Sequence, residues 1–167
     1  MTDPGPSQRE RAETARDRLA RANLMGRDLA GADLKGARLE GANLRKACLR
    51  EADLSGARLE GAALSLADCT QAIFTGADLT RAELIGTNLT GARLNGACFH
   101  RASVSKADFT RVDLNEADLS QVINLTCRQL QSARLSPSTR LPDYIKIVWN
   151  SDGSFSCGDN KRRMDDP

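Results

Sequence analysis

Residues 32–36 read Ala-Asp-Leu-Lys-Gly, and the same five-residue pattern recurs along most of the chain. From Leu19 to Leu119 every fifth residue is apolar, and sixteen of these twenty-one residues are leucine. The residue two places before each of the last twenty is alanine in seventeen cases. A fixed period of this kind is the sequence signature of a repeat protein, in which each unit packs against its neighbours.

The five-residue period fits neither of the common secondary structures. The apolar stripe of a helix recurs every three or four residues, and the side chains of a strand alternate every two. Glycine occupies ten of the twenty positions that follow the central residue by two, and each glycine inside a helix costs about 1 kcal/mol. We therefore expect each unit to be a short extended stretch that directs the central Leu and the preceding Ala inward. A turn follows, in which glycine adopts a positive φ.

The units resemble the A(D/N)LXX repeats of the pentapeptide-repeat family over about residues 17–121. This resemblance implies an all-β solenoid, namely a right-handed quadrilateral β-helix in which four units form one coil. The repeat domain, residues 19–121, then has about five coils. Many family members, especially the numerous bacterial ones from cyanobacteria, have no settled role, so the family by itself does not fix a biochemical activity.

We expect short helices to cap both ends of the coil. Ser7 and Glu10 have the spacing of a capping box, which predicts a helix within residues 7–18. Thr126 and Gln129 have the same spacing and predict a second helix over about residues 127–133.

The C-terminal cap, residues 122–158, also contains a predicted hairpin. Residues 144–149 are β-branched and aromatic, and Asp152-Gly153 is a turn signal, so the hairpin should span about residues 144–157. The polar residues 159–167 are expected to form a flexible tail, and residues 1–6 are expected to be disordered.

Charge and composition exclude several classes of function. The formal net charge is +2, and the repeats carry acidic and basic residues in nearly equal number, which argues against nucleic acid as a partner. No apolar run is long enough to span a membrane. No export signal is recognisable, so we expect a cytoplasmic protein. The periplasm or the thylakoid lumen is the alternative if a signal peptide has been removed.

The sequence offers no set of residues for catalysis. The single histidine has no second histidine with which to bind a metal, and the glycines recur with the repeat rather than in a phosphate-binding loop. A coil filled with side chains also lacks the concave pocket that an enzyme needs. We therefore expect a non-enzymatic protein with no catalytic, cofactor-binding or metal-binding residues. The outward Asp and Asn residues are interpreted as polar groups that solvate the sides of the coil.

The five cysteines fall into different environments. Cys69 occupies an inward position and is interpreted as a small buried hydrophobe, whereas Cys48 and Cys98 point outward too far apart to form a bond. Cys127 and Cys157 both lie in the C-terminal cap, where a hairpin folded back on the helix brings them together. They form either a disulfide that staples the cap or a pair of reduced thiols.

The least polar side of the coil carries a candidate interaction patch: Met25, Ala63, Leu66 and Ile85. Scattered apolar residues are common on protein surfaces, and a contact surface for a partner is the second interpretation. Stacked repeats usually bind a protein through their faces and caps, so the function predicted is a protein-interaction or scaffold module whose partner is a protein. The chain is expected to be a monomer, or a homodimer formed through the C-terminal cap or this apolar side.

The resemblance implies one alternative function. Some pentapeptide-repeat proteins mimic DNA and inhibit a type II topoisomerase such as gyrase. Those members are typically acidic and often rich in axial phenylalanine, whereas this chain is near neutral and has three axial phenylalanines. The interaction module is thus the first hypothesis and the DNA mimic the second.

Overall fold

The computed structural model describes residues 7–159. Residues 1–6 and 160–167 lie outside this described part, and with them the predicted disordered start and nearly all of the predicted tail. The regular elements are α1 (Gln8–Thr14), a 3-10 turn (Arg16–Arg18), α2 (Cys127–Leu130), β1 (Ile145–Trp149) and β2 (Phe155–Asp159). Between the 3-10 turn and α2, the backbone is organised by isolated bridges instead of long strands.

Each bridge of the repeat region joins a residue to the one twenty positions later, in parallel orientation. The bridging residues lie five apart and form four ladders, which define four sides of the coil: A (23, 43, 63, 83, 103, 123), B (28, 48, 68, 88, 108), C (33, 53, 73, 93, 113, 134) and D (38, 58, 78, 98, 118, 140). One turn of the coil therefore takes twenty residues, which is four five-residue units.

The core lies along the axis of this coil. The central apolar residues from Leu34 to Leu119 and the alanines two places before them are almost completely buried. Thr87 takes an alanine position and is also buried, and its hydroxyl donates a hydrogen bond of 2.8 Å to the Leu64 carbonyl. This bond removes the cost of burying an unpaired polar group.

A β-turn separates one unit from the next. The carbonyl of each central residue accepts a hydrogen bond from the N–H three residues later, as in Leu54 to Ala57 at 3.0 Å. The residue before that N–H has a positive φ at every corner from Arg21 to Glu116. Ten of these corner residues are glycine and ten are not. The prediction that glycine supplies the positive φ of the turn is therefore correct for half of the corners. The other half adopt the same conformation although their Cβ makes it unfavourable.

Side chains of the N-terminal segment hydrogen-bond the first turn of the coil. Gln8 Oε1 accepts from the Asp28 N–H at 3.0 Å, and Glu13 Oε1 accepts from the Asp33 N–H at 2.8 Å. The Arg16 carbonyl accepts from the Arg38 N–H at 2.9 Å. The helix α1 with its Ser7–Glu10 capping box is shorter than the predicted 7–18 region, because the backbone changes to a 3-10 turn after Ala15.

The C-terminal elements also differ in length from the prediction. Helix α2 ends at Leu130 and not at Ala133, because the following backbone pairs with the coil through Ser132 and Arg134. In the hairpin, Ile145 pairs with Asp159 and Trp149 with Phe155. The second strand therefore continues two residues beyond the predicted end at 157 and includes the first residue of the predicted tail.

Candidate interaction surface

The outward Asp and Asn residues hydrogen-bond the turns. In each case Oδ1 accepts from the backbone N–H two residues later, at 2.8–3.3 Å. The residues are Asn23, Asp28, Asp33, Asn43, Asp53, Asp68, Asp78, Asn88, Asp108, Asp113 and Asp118. Asp and Asn favour turns through this bond. This hydrogen bond gives the outward Asp and Asn residues a more specific role than the one interpreted from the sequence, which was to solvate the sides of the coil.

These hydrogen bonds also affect the acidity of the carboxyls. The Ser120 hydroxyl, at 2.6 Å, lowers the pKa of Asp118, and the Ser120 N–H and the nearby Arg140 act in the same direction. Thr110 lowers the pKa of Asp108 through its side chain and its N–H. Hydrogen bonds to a carboxylate favour its charged form. Residues 7–159 contain no group of three or more His, Cys, Asp or Glu side chains arranged to hold a metal ion.

Side A carries the residues of the predicted patch. Met25, Leu66 and Ile85 are exposed by 50%, 60% and 43%. The Leu66 N–H donates to the Ile85 carbonyl at 3.0 Å, so these two residues lie on adjacent turns of the coil. The side chain of Leu66 extends over Gly86, where an added Cβ would lie 3.0 Å from Leu66 Cδ2. Leu66, Ile85 and Gly86 thus form one continuous apolar area.

The structure does not bring all four patch residues together. Ala63 is only 8% exposed and bridges Asn43 on one turn and Glu83 on the next. Glu83 forms an ion pair with Arg45, two turns of the coil away, and this pair spans the turn that carries Ala63. Met25 lies on the far side of that pair. The patch is therefore restricted to Leu66 and Ile85, and Ala63 is not available to a partner.

A groove at the C-terminal end of side A was missed by the sequence analysis. It has a volume of about 880 Å³, and its lining includes Val122, Ile123, Leu125 and Tyr144. Ile123 is 47% exposed and takes the next bridging position on side A after Ser103. The signal for this groove is the one-residue shift of the apolar period after Leu119, which ends the regular repeat at this point.

The cysteines occupy three environments. Cys127 and Cys157 form a disulfide, with a Cα–Cα distance of 5.5 Å, that joins α2 to β2. Cys69 is buried on the axis, and burial raises the pKa of its thiol far above the usual value, which keeps it protonated. Cys48 and Cys98 are free and half-buried, rather than fully exposed as expected for outward residues.

The model of a known family matches the repeat region. Eight copies of the pentapeptide repeat are matched, over residues 22–61, 52–91, 62–101 and 87–123. The chain belongs to the pentapeptide-repeat family. Membership confirms the family predicted from the A(D/N)LXX units and the solenoid nature of the fold. No curated protein sequence matches the chain.

Solved structures of other pentapeptide-repeat proteins are similar to this one. HetL from the cyanobacterium Nostoc sp. strain PCC 7120, a protein involved in heterocyst differentiation regulation, is 38% identical with a TM-score of 0.58. The match covers 70% of this chain and 54% of HetL, so the chain spans about half the length of that relative. AT2G44920 from the Arabidopsis thaliana thylakoid lumen is 29% identical with a TM-score of 0.55, over 75% of this chain and 78% of that one.

A structure of QnrB1, a plasmid-mediated fluoroquinolone resistance protein, matches at 20% identity with a TM-score of 0.26, over 70% of this chain and 79% of that one. A likeness this low carries no argument about function. Among residues 7–159, none of the helices has the length and apolar character required to cross a membrane.

Proposed function

We propose that this pentapeptide-repeat protein is a non-enzymatic interaction module that binds a protein partner through side A. The observation that carries the proposal is the continuous apolar area of Leu66, Ile85 and Gly86 on the outside of the coil. Exposed apolar area of this kind is typical of contact surfaces, and stacked repeats commonly bind partners along their sides. The proposal includes the finer architecture of about five right-handed quadrilateral coils with a helix at each end.

The remaining sides support this choice by contrast. On side D, Glu40 lies between Arg38 and Arg58, at 3.7 Å and 3.1 Å. On side C, Lys35 pairs with Asp53 at 3.2 Å. Exposed pairs of this kind contribute little to stability, and they leave these sides hydrated and compensated in charge. The area of Leu66, Ile85 and Gly86 on side A contains no such pair, so a partner can displace water there at a lower cost than from these pairs.

The experiment that tests the proposal is co-purification of the full chain from its native cell. Leu66→Lys places a charge in the apolar area and should remove the partner without changing the thermal stability. The control is Gln71→Lys, because Gln71 occupies the corresponding corner of side B with φ of 58°. A partner that is retained by Leu66→Lys, or lost equally with Gln71→Lys, contradicts the proposal. Sedimentation of both variants reports whether the protein is a monomer or a homodimer.

The second candidate, inhibition of a type II topoisomerase by DNA mimicry, has less support. A DNA mimic needs a surface of one negative sign, whereas sides C and D pair acidic with basic residues. A gyrase supercoiling assay separates the two functions. Inhibition at a low molar excess of this protein would favour the mimic, and unchanged supercoiling favours the interaction module.

The compartment forms part of the proposal. The sequence favoured the cytoplasm because it contains no recognisable export signal. Disulfides persist in oxidising compartments and are rare in the cytosol. The Cys127–Cys157 bond therefore supports the periplasm or the thylakoid lumen over the cytoplasm. Thiol trapping in the native cell tests this assignment. If Cys127 and Cys157 are both fully reduced there, the result favours the cytoplasm.

A further inference from the structure

The ladders on sides A, C and D all end at their sixth residue, which is Ile123, Arg134 and Arg140. On sides C and D these last residues bridge Asp113 and Asp118. On side A the last bridge is Ser103 to Ile123, and no later residue within the described part of the chain pairs with Ile123. Side A therefore ends in a strand edge, and unpaired strand edges are templates for pairing with another chain.

Two side chains cover parts of this edge. Gln129 Nε2 donates to the Val104 and Ala107 carbonyls at 2.8 Å and 3.0 Å. The Tyr144 hydroxyl donates to the Val122 carbonyl and accepts from the Leu125 N–H, both at 3.2 Å. Elsewhere on side A these contacts are made by backbone. The Ile123 N–H, for example, donates to the Ala102 carbonyl at 2.8 Å. The side chains of Tyr144 and Gln129 thus replace part of the backbone pairing at this end.

Two backbone donors along the groove have no hydrogen-bond acceptor within the described part of the chain. At the equivalent corners of earlier turns, the Lys46 and Gly86 N–H groups donate to the Ser65 and Ser105 carbonyls at 3.1 Å and 2.9 Å. The N–H groups of Lys106 and Asn124 have no such acceptor among residues 7–159. Both residues line the groove. An incoming backbone could therefore supply the carbonyls that the coil itself no longer provides.

The charge of the groove is of one sign. Lys106 and Arg128 both line it and are both exposed, and no Asp or Glu is part of its lining. Neither cation forms an ion pair with a residue between 7 and 159. The other exposed walls described above are compensated. This end of side A is therefore complementary to a negatively charged ligand.

We propose that the groove binds an extended, acidic segment of a partner protein, which adds a strand to the end of side A. Backbone pairing supplies affinity in this mode, and alternate side chains supply specificity. Ile123 offers an apolar surface to one set of side chains, and Lys106 and Arg128 offer charge to acidic residues in the other set. This inference rests on the proposed interaction function and names the chemistry of the partner.

The test uses the full chain and fluorescently labelled, end-capped heptapeptides in which Val alternates with Asp, Ser or Lys. Fluorescence anisotropy should detect saturable binding of the Val/Asp peptide and none of the Val/Lys peptide. Replacing both cations, Lys106→Glu with Arg128→Glu, should weaken Val/Asp binding at least tenfold. The matched control is Lys46→Glu, which changes a corner residue of the same side and the same φ of 58°, three turns of the coil away.

Three results would overturn the inference: no binding by any peptide, equal binding of the Asp and Lys peptides, or equal weakening by Lys46→Glu and the double variant. Sedimentation of the protein without peptide provides a fourth result that would overturn it. A dimer that dissociates only in the double variant would assign the groove to a second copy of this chain.

The two proposals can fail separately. A cellular partner that is lost with Leu66→Lys but fully retained by the double variant would leave the interaction function standing and refute the groove.

Discussion

The repeat coil and the C-terminal segment satisfy the hydrogen bonds of their backbone by different means. In the repeat coil the backbone of each turn is hydrogen-bonded by the backbone of the next, with a register of twenty residues that lengthens only at the last bridges of sides C and D. After Leu119 side chains take over part of this role. Gln129 Nε2 donates to the Val104 and Ala107 carbonyls, and the Thr139 hydroxyl donates to the Leu114 carbonyl. A periodic backbone can be extended by repetition, but an end requires individual side chains that fit one place only.

The largest effect is expected from a charge on the axis of the coil. Leu54→Asp should abolish cooperative folding of residues 22–121, because Leu54 is fully buried and an unpaired buried carboxylate is very unfavourable. Truncating a buried Leu to Ala already costs about 2–5 kcal/mol. Circular dichroism during thermal unfolding measures the loss. Leu66→Asp introduces the same group on the outside and should leave unfolding nearly unchanged, and a similar loss in both variants would contradict an axial core.

Removing the disulfide should affect the C-terminal segment more than the coil. Cys127 and Cys157 are 30 residues apart in sequence, and a crosslink of this span contributes about 2–4 kcal/mol. In a Cys127→Ser, Cys157→Ser variant, we expect faster amide hydrogen exchange in β1 and β2 and unchanged exchange at Leu54 and Leu94. The control is Cys48→Ser with Cys98→Ser, which removes the free surface thiols. Equal acceleration along the whole coil would show that the two regions unfold together.

The corners of the coil provide a smaller and more uniform test. Gly56 has φ of 63° and nothing within 4 Å of an added Cβ, so Gly56→Ala tests the backbone conformation alone. We expect a loss of about 1–2 kcal/mol, which is the cost of the left-handed conformation for a residue with a Cβ. The reverse change, Lys46→Gly at φ of 58°, should be neutral or slightly stabilising. Denaturant unfolding measures the stability of both variants. Equal losses of stability would show that the left-handed conformation is not the cause.

The smallest effect is expected from the carboxyls that hydrogen-bond the turns. Hydrogen bonds lower the folded pKa of Asp118, so its contribution is complete above the unfolded pKa of about 4 and is lost as the pH falls through the folded pKa. Asp118→Asn keeps the Oδ1 acceptor, as Asn88 does naturally at 3.0 Å. We expect a change below about 1 kcal/mol at pH 7.

Denaturant unfolding between pH 2 and pH 7 checks this prediction. The Asn variant should lose less stability than the unmodified protein as the pH falls. An unchanged acid response would show that the Asp118 carboxyl does not contribute.

The periodic part of the molecule could be predicted from the sequence because each five-residue unit contains the residues that determine its local conformation. Ala and Leu define the inward residues, and glycine identifies half of the corners. The corners at Lys46 and Leu66 have no local signal. Their positive φ is imposed by the register of neighbouring turns, which is a tertiary effect. The turn-bonding role of residues such as Asp68 was missed for a related reason, because the sequence does not show which N–H groups face outward.

The candidate site was less predictable because it depends on contacts between turns. Leu66 and Ile85 were identified as outward and apolar, but Ala63 is buried between its bridging partners Asn43 and Glu83 on the neighbouring turns. The groove arises where the period breaks, and a break gives no information about the path that follows. The contact of Tyr144 with residue 122 could not be anticipated from spacing alone.

The twenty-residue spacing of the bridges also governs the direction in which the C-terminal groove faces. Deleting residues 62–81 would remove one complete circuit, and the groove would keep its bearing relative to α1. Deleting only residues 62–66 would preserve the inward Ala and Leu pattern yet rotate the groove by a quarter circle about the long axis. Gain or loss of single units is therefore a route by which such proteins could re-aim a docking site without altering the chemistry of their interior.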